Sequence, residues 1–494
     1  MVYKRFLAFM AIIMLILSDS VYALSYMNVP YYTYNYDYWG NIYYTPPAYI
    51  PQNVLSGVGI GCGDFKNPQD IFVDDNKKLY IADTGNNRIV VYDLNDKKVS
   101  EIKGFVNNGV EESFKSPSGI YVTSDGKIYI ADTDNNRVVA LNSDGTLYKI
   151  IKNPKSKDLG KDFQFSPLKV AVDYAGRVYV IAKNLFEGIM SFDNEGNFTG
   201  FVGTIYVNIS PYEKIWRKLS TKAQRKSQIQ FIPTEFTGID ITSDGFLYAT
   251  NIDANGKQSV RKLNPKGQDI IKMNNNNSKQ SGTLSGDLFW RLSGNYSGAS
   301  QIIDVTYRDN GIYSILDRRR GRIFTYDDEG DLLYIFGGLG SQEGTFKNPI
   351  AIDKIGDEIL VLDMGRGNIT IFVPTEYGSL INKAVSERYN GDEASAVELW
   401  KRVIKLDSNF ELAYVGVGKS YLASGENKEA MKYFKLGMDR TYYSIAYRRY
   451  RDDILKKNLG YILTVIIVLI AIYVIKRLFK RKKIKKDGGS VYEY

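Results

Sequence analysis

The chain has no histidine, and that absence removes more candidate chemistry than any motif it contains adds. Without imidazole there is no His-based general acid or base, no Ser-His-Asp triad and no zinc site with imidazole ligands. Cysteine is almost as scarce. Cys62 is the only one, so no intrachain disulfide forms and the fold must be held by its core. Cys62 also lies too far from the start of the chain to take a lipid anchor behind a signal segment. Positive charge is in excess over the whole chain, at +9, but residues 476–494 alone carry eight basic and two acidic side chains. The remainder is therefore close to neutral, a poor basis for binding nucleic acid.

What is present is repetition. The stretch NPQDIFVDDNKKLYIADTGNNRIVVY, Asn67 to Tyr92, reads as three short strands of alternating hydrophobicity broken by two polar turns. A unit of this size buries too little to stand alone and needs neighbouring copies. The second copy, SPSGIYVTSDGKIYIADTDNNRVVAL, Ser116 to Leu141, follows 49 residues later, with Asp132, Asn136 and Arg137 in the places of Asp83, Asn87 and Arg88. Four more copies follow. The third puts Lys183 where the Asp-Thr pair begins, the fourth loses the Asp, the fifth recovers Asp317 and Arg322, and the sixth recovers Asp363. Six copies at this period predict six blades of a β-propeller.

The Pro-x-Gly/Asp, Ala-Asp and Asn-x-Arg elements of these units resemble the NHL-repeat family across residues 67–373, most closely in the first two copies. That resemblance implies a binding platform more often than an enzyme. The expected fold is an all-β six-bladed propeller of NHL type over 58–373, then a small all-α domain resembling tetratricopeptide repeats, then one transmembrane helix.

Residues 1–23 have the basic start, short apolar run and small residues of a secretory signal peptide, cleaved after Ala23. Residues 24–57 form a tyrosine-rich arm lying across the propeller and ending in QNVLSG, Gln52 to Gly57. That stretch stands before Asn67-Pro68 as Leu332 to Gly338 stands before Asn348-Pro349, which is the place of an outer strand. The sixth copy lacks such a strand, since Val373 runs directly into Pro374, so the arm is expected to close the ring. Two insertions, 204–234 and 272–300, flank the fourth copy and are expected on one face. They carry Tyr212, Trp216 and Arg217, and Trp290, Arg291 and Tyr296. Flat aromatic rings suit the apolar faces of sugars and arginine suits hydroxyl or carboxylate groups, so these six are the candidate ligand-binding residues and a saccharide the candidate ligand.

From 374 to 457 the period becomes helical, and Gly391/Gly425, Ala396/Ala430 and Trp400/Phe434 recur at a spacing of 34 residues. This resembles the tetratricopeptide repeat, whose helices imply a protein partner, with a third helix from Tyr443 to Lys457 as a cap. Residues 459–475 are apolar or small without a charge, and KRLFKRKKIKK follows. That is the pattern of a single span in the cell membrane, with the basic tail 476–494 in the cytoplasm against anionic lipid and all that precedes the span outside. The pairing of repeats resembles membrane-anchored NHL and tetratricopeptide proteins on the surface of Gram-positive bacteria.

Asp83, Asp132, Asp317 and Asp363 recur at one place and are expected to order the following turn; Arg88, Arg137 and Arg322 are expected to pack between blades. Lactonase-type propellers need an acidic and amide cluster at the central channel, and spacing assembles none here. The resulting expectation is a binding or scaffold protein that is not an enzyme, with no catalytic residue, cofactor or metal. The alternative is an extracytoplasmic lactonase-like or lyase-like enzyme with a degenerate metal site.

Overall fold

The structure, a computed structural model, describes residues 29–156, 159, 163–204, 235–253, 258–272, 285–287 and 298–487, with the side chains of 482–487 excepted. The signal segment 1–23 lies outside the described residues. Six antiparallel sheets form the blades of a propeller. Their inner strands are Asp70–Val73, Pro117–Val122, Pro167–Val172, Phe236–Ile241, Ile302–Tyr307 and Pro349–Ile355. Five sheets have four strands; the fourth has three among the described residues, ending at Val260–Leu263.

The alternation in each copy makes this arrangement favourable. Each sheet turns one row of apolar side chains toward each neighbouring blade, so the core is a set of inter-blade layers. Between blades six and one, Ile71, Leu79, Ile81 and Val90 meet Leu360, Leu362 and Ile369, all buried. Each such side chain contributes about 1.5–3 kcal/mol on burial, an amount no isolated blade could realise.

The repeated turn has an equally local cause. Thr84–Asn86 and Thr133–Asn135 each make one 3-10 turn, ended by Asn87 and Asn136 at φ 55° and 53°. Asparagine tolerates that left-handed conformation better than most residues, which suits Asn87 and Asn136 to the middle place of the Asn-x-Arg element, while Asn86 and Asn135 before them donate to Asp83 and Asp132.

Blade six draws its outermost strand from the other end of the chain. Tyr49–Ser56 pairs antiparallel with Asn368–Pro374, Leu55 opposite Ile369 and Tyr49 opposite Pro374. Before that strand, Tyr34–Tyr36 and Ile42–Tyr44 form a small hairpin. Tyr31, Tyr34 and Tyr49 are buried, whereas Tyr32, Trp39 and Tyr44 are exposed. A second hairpin, Gly104–Asn107 with Val110–Ser113, joins blades one and two, an addition that the repeat did not predict.

Five helices follow: α1 Glu376–Tyr389, α2 Glu393–Leu406, α3 Glu411–Ala423, α4 Asn427–Leu436 and α5 Arg440–Asp487. The chain divides into two compact units at 412/413, so α1 and α2 belong with the propeller. Thr375 caps α1 by accepting from Gly378 N, and its hydroxyl donates to Pro47 O at 2.7 Å. Asn382 of α1 bonds Tyr334 and Tyr49. In the second unit, Asn427 Nδ2 donates to Asp453 at 2.7 Å and Phe434 stacks on Tyr442.

Helix α5 is one unbroken helix of 48 residues. The sequence predicts a cap at 443–457, a span at 459–475 and a tail; the structure runs the first two and the start of the third together, because no proline and only Gly460 interrupts them. It is long and apolar enough to cross a membrane, and residues 459–475 are exposed along their length.

Candidate functional site: the central channel

The inner strands line the propeller axis, so one register position supplies one ring of side chains. The residues paired with Ala82, Ala131, Ile181, Thr250, Leu316 and Leu362 of the six second strands are Asp70, Gly119, Lys169, Gly238, Asp304 and Ala351. Charged and small residues alternate around the ring. Blades one, three and five converge: Lys169 Nζ lies 2.5 Å from Asp70 Oδ1 and 3.3 Å from Asp304 Oδ2, with all three residues buried. The small residues make room for them. A Cβ on Gly238 would stand 2.5 Å from Asp304 Oδ1, and one on Gly119 would stand 2.4 Å from Leu168 O.

The carboxylates also join blades. Asp70 Oδ2 accepts from Ile120 N of blade two and Asp304 Oδ2 from Ile352 N of blade six, both at 3.0 Å. Burial works against the ammonium, but Asp304 and Asp70 beside it hold its pKa above the ordinary lysine value. Two carboxylates and one ammonium leave a surplus negative charge. Burial accordingly raises Asp304 to about 7 against the opposing pull of Lys169.

Two residues along each strand, the next ring is Phe72, Tyr121, Ala171, Asp240, Thr306 and Asp353. The rings of Phe72 and Tyr121 lie 4.9 Å apart. Here Tyr121, Asp240 and Asp353 each keep part of their surface open, although protein surrounds them. Asp240 Oδ2 accepts from Tyr307 N at 2.7 Å and Asp353 Oδ2 from Val73 N at 2.6 Å. Burial first, and then Asp240, push Asp353 up to about 8. Near neutral pH it is a protonated acid, with Thr306 Oγ1 3.4 Å from its Oδ1.

The channel gathers carboxylates that spacing alone did not bring together, but neither ring contains the amides of a lactonase-type cluster. Aligned at Pro-x-Gly/Asp, the six copies read Asp, Gly, Lys, Gly, Asp, Ala, so Lys169 stands out as the one cation, but alignment does not show that the three charges meet. A metal ion, which a lactonase-type channel implies, does not fit these residues. The position between Asp70 and Asp304 holds the ammonium of Lys169, and among the described residues no group of three or more Cys, Asp or Glu could hold a metal.

The recurrent Asp residues are buried and order loops, mostly those preceding the blade. Asp83 accepts from Lys66 N and Asp132 from Lys115 N, and each holds the following turn through Asn86 or Asn135. Asp363 accepts from Lys347 N, Asn348 N and Gly365 N. In blade three it is Ala182, opposite Pro167, that takes this place, with Lys183 one residue on. Arg88 bonds Asp83 and Glu101 of its own blade, so its role lies within a blade. Arg137 reaches Glu112 on the linking hairpin.

Tyr212, Trp216, Arg217, Trp290, Arg291 and Tyr296 lie outside the described residues. From the second insertion the structure describes Asp287, which bonds Tyr34 and Tyr36 of the arm and Arg320 and Arg322 of blade five.

Residues 71–158 match the family model described as SMP-30/Gluconolactonase/LRE-like region. That match overturns the expectation that the chain is not an enzyme. Lack of histidine excludes imidazole chemistry, but it leaves carboxylate chemistry open, and the channel supplies the carboxylates. Among solved structures, virginiamycin B lyase from Staphylococcus aureus is similar at 14% identity over 66% of this chain and 100% of that one, with a TM-score of 0.41. A streptogramin B lyase structure is 13% identical over 63% and 94%, at 0.39. A structural genomics protein of unknown function from Bacteroides thetaiotaomicron is 16% identical over 63% and 70%, at 0.41. No curated protein matches the chain.

Proposed function

We propose that this chain is a membrane-tethered, extracytoplasmic propeller that takes its ligand at the open ring of the channel and acts on it by carboxylate chemistry of the hydrolase or lyase class. Asp353 carries this reading. It is an acid kept protonated to about pH 8 in a partly open lumen, with Asp240 in the same ring two blades away. Burial raises both carboxyls, and the charge of Asp240 raises Asp353 further, so the ring offers one proton donor and one acceptor, as general acid–base catalysis requires. Asp353 would donate to a leaving oxygen or carbonyl, Asp240 would accept a proton, and Tyr121 and Phe72 would cover an apolar face of the ligand. The match of residues 71–158 to a gluconolactonase-like region supports the same class.

The test is turnover of a panel of lactones, esters and cyclic depsipeptides by the full chain in detergent. Asp353→Asn should reduce any activity found by roughly 10²–10⁴-fold, and wild-type activity should fall as pH rises past 8. Undiminished turnover in that variant overturns the assignment.

A second reading is favoured by one observation: the Lys169 triad closes the channel next to the open ring, which leaves the outer face for a larger ligand. On this reading the propeller binds a saccharide through Tyr212, Trp216, Arg217, Trp290, Arg291 and Tyr296. The tetratricopeptide-like helices hold a protein partner, and α5 spans the cell membrane once with its basic end on anionic lipid in the cytoplasm. A glycan screen separates the two readings. Replacing Trp290 and Arg291 by Ala abolishes saccharide capture on the second reading and leaves turnover intact on the first.

A further inference from the structure

We propose that Lys169 is a covalently supplied counter-ion that takes the place of a cation on the propeller axis, so that removing its side chain turns the axis into a divalent-cation site. The inference concerns how the ring is held and does not depend on which ligand the chain takes.

Three features carry it. First, the carboxylates of Asp70 and Asp304 come from blades one and five, which are not neighbours, and they meet only through Lys169 Nζ. Second, both are fixed before any cation arrives, by the backbone donors Ile71 N and Ile120 N on Asp70 and Ile352 N on Asp304. Neither can swing away if the ammonium is lost. Third, the ring is dry: Asp70 is 5% exposed, Asp304 3% and Lys169 9%. Two carboxylates fixed in such a place repel strongly unless a positive charge stands between them.

A hard divalent cation has the charge and the preference for oxygen to fill that position. The space vacated by a four-carbon stem admits the waters that would complete its shell. In the native chain the ammonium takes this place and is tied to the backbone, so it cannot be removed by a chelator or by dilution. Gly119, Gly238 and Ala351 complete the ring at the three other blades, which leaves Lys169 as the ring's sole cationic side chain.

The experiment is thermal melting of full-length wild type and Lys169→Ala in detergent, with EDTA and then with millimolar calcium or magnesium; choline chloride of equal ionic strength is the control. Wild type should melt at the same temperature in all. Lys169→Ala should melt lower in EDTA and regain most of the difference with the divalent ion, binding one ion per chain by calorimetry. Asp304→Asn in the Lys169→Ala background should cancel the gain. Should Lys169→Ala fail to fold in EDTA, refolding in calcium is the readout, with Lys169→Ala/Asp70→Asn as the repulsion-free companion that folds without the ion. The proposal is overturned if Lys169→Ala melts like wild type, if choline chloride restores it as well as calcium does, or if calcium fails to recover it while the companion folds.

Discussion

Lys169 in the channel and Arg308 beneath α1 are both buried cations on inner-strand segments of one propeller, and they are compensated in different ways. Lys169 is answered by two carboxylates from distant blades. Arg308 is answered mainly by dipoles: Tyr334 OH at 2.6 Å, Tyr49 OH at 2.5 Å, Asp357 O at 3.3 Å, and the face of the Tyr49 ring. The nearest Asp357 carboxylate oxygen is 3.7 Å away on an exposed side chain. The difference shows in what each cation would leave behind. Without Lys169 two fixed carboxyls face each other with nothing to oppose their repulsion but uptake of a proton, whereas without Arg308 the neutral partners still bond one another, since Tyr334 OH donates to Asn382 Oδ1 and Asn382 Nδ2 to Tyr49 OH.

The largest effect that would sharpen this contrast is therefore at the channel. Lys169→Met should cost about 3–5 kcal/mol in divalent-free buffer, the range for breaking a buried ion pair from one side, and adding Asp70→Asn and Asp304→Asn should recover most of it. Denaturant midpoints of the single and triple variants measure both. Arg308→Met, read the same way, should cost less, about 1–3 kcal/mol. If it equals or exceeds Lys169→Met, charge is not what separates the two sites.

Smaller and confined to pH is the effect at Asp353. Its pKa rises from 3.8 to about 8 on folding, so the native state holds a proton that the unfolded chain has lost. Its contribution to stability is complete below about pH 4, declines as pH rises, and is gone above about pH 8. Asp353→Asn should flatten that part of the melting-temperature curve between pH 4 and 8; an unchanged slope would mean that the carboxyl is ionised in the fold. The smallest effect is on the arm. Trp39, 59% exposed, should shift stability by under ~0.5 kcal/mol on replacement by Ala, and a larger loss would place its ring in a contact as demanding as the two cation sites.

These sites also mark how far the sequence could be read. The six blades were legible because strand periodicity is local: Ile71, Val73, Leu79 and Ile81 alternate whether or not their neighbours are known. Lys169 was not legible as part of a cluster, because its partners stand 99 and 135 residues away and meet it only once the ring exists. Asp83 was legible as structural, though the donor it serves, Lys66 N, lies before the blade. The candidate ligand residues of the two insertions rest on the sequence alone: those of the first lie on a helical period with Ile215, Leu219 and Ala223, and those of the second are given by composition. Helix α5 was read as three pieces because its hydropathy changes twice, while the backbone propensity that decides continuity hardly changes.

The closing strand has a consequence in time. Thr375 and Pro47 are 328 residues apart in the chain and in contact in the fold. So wide a separation makes their meeting among the slowest steps of folding, since the entropy of a long loop must be lost before any contact rewards it. Thr375 is at once the partner of Pro47 and the N-cap of α1, so completion of the ring and initiation of the helical region fall together in one cooperative event. A nascent chain that has emerged only as far as blade six still presents an unpaired strand edge, and its aggregation hazard ends when the residues around Thr375 arrive to seat the strand that has waited since the beginning.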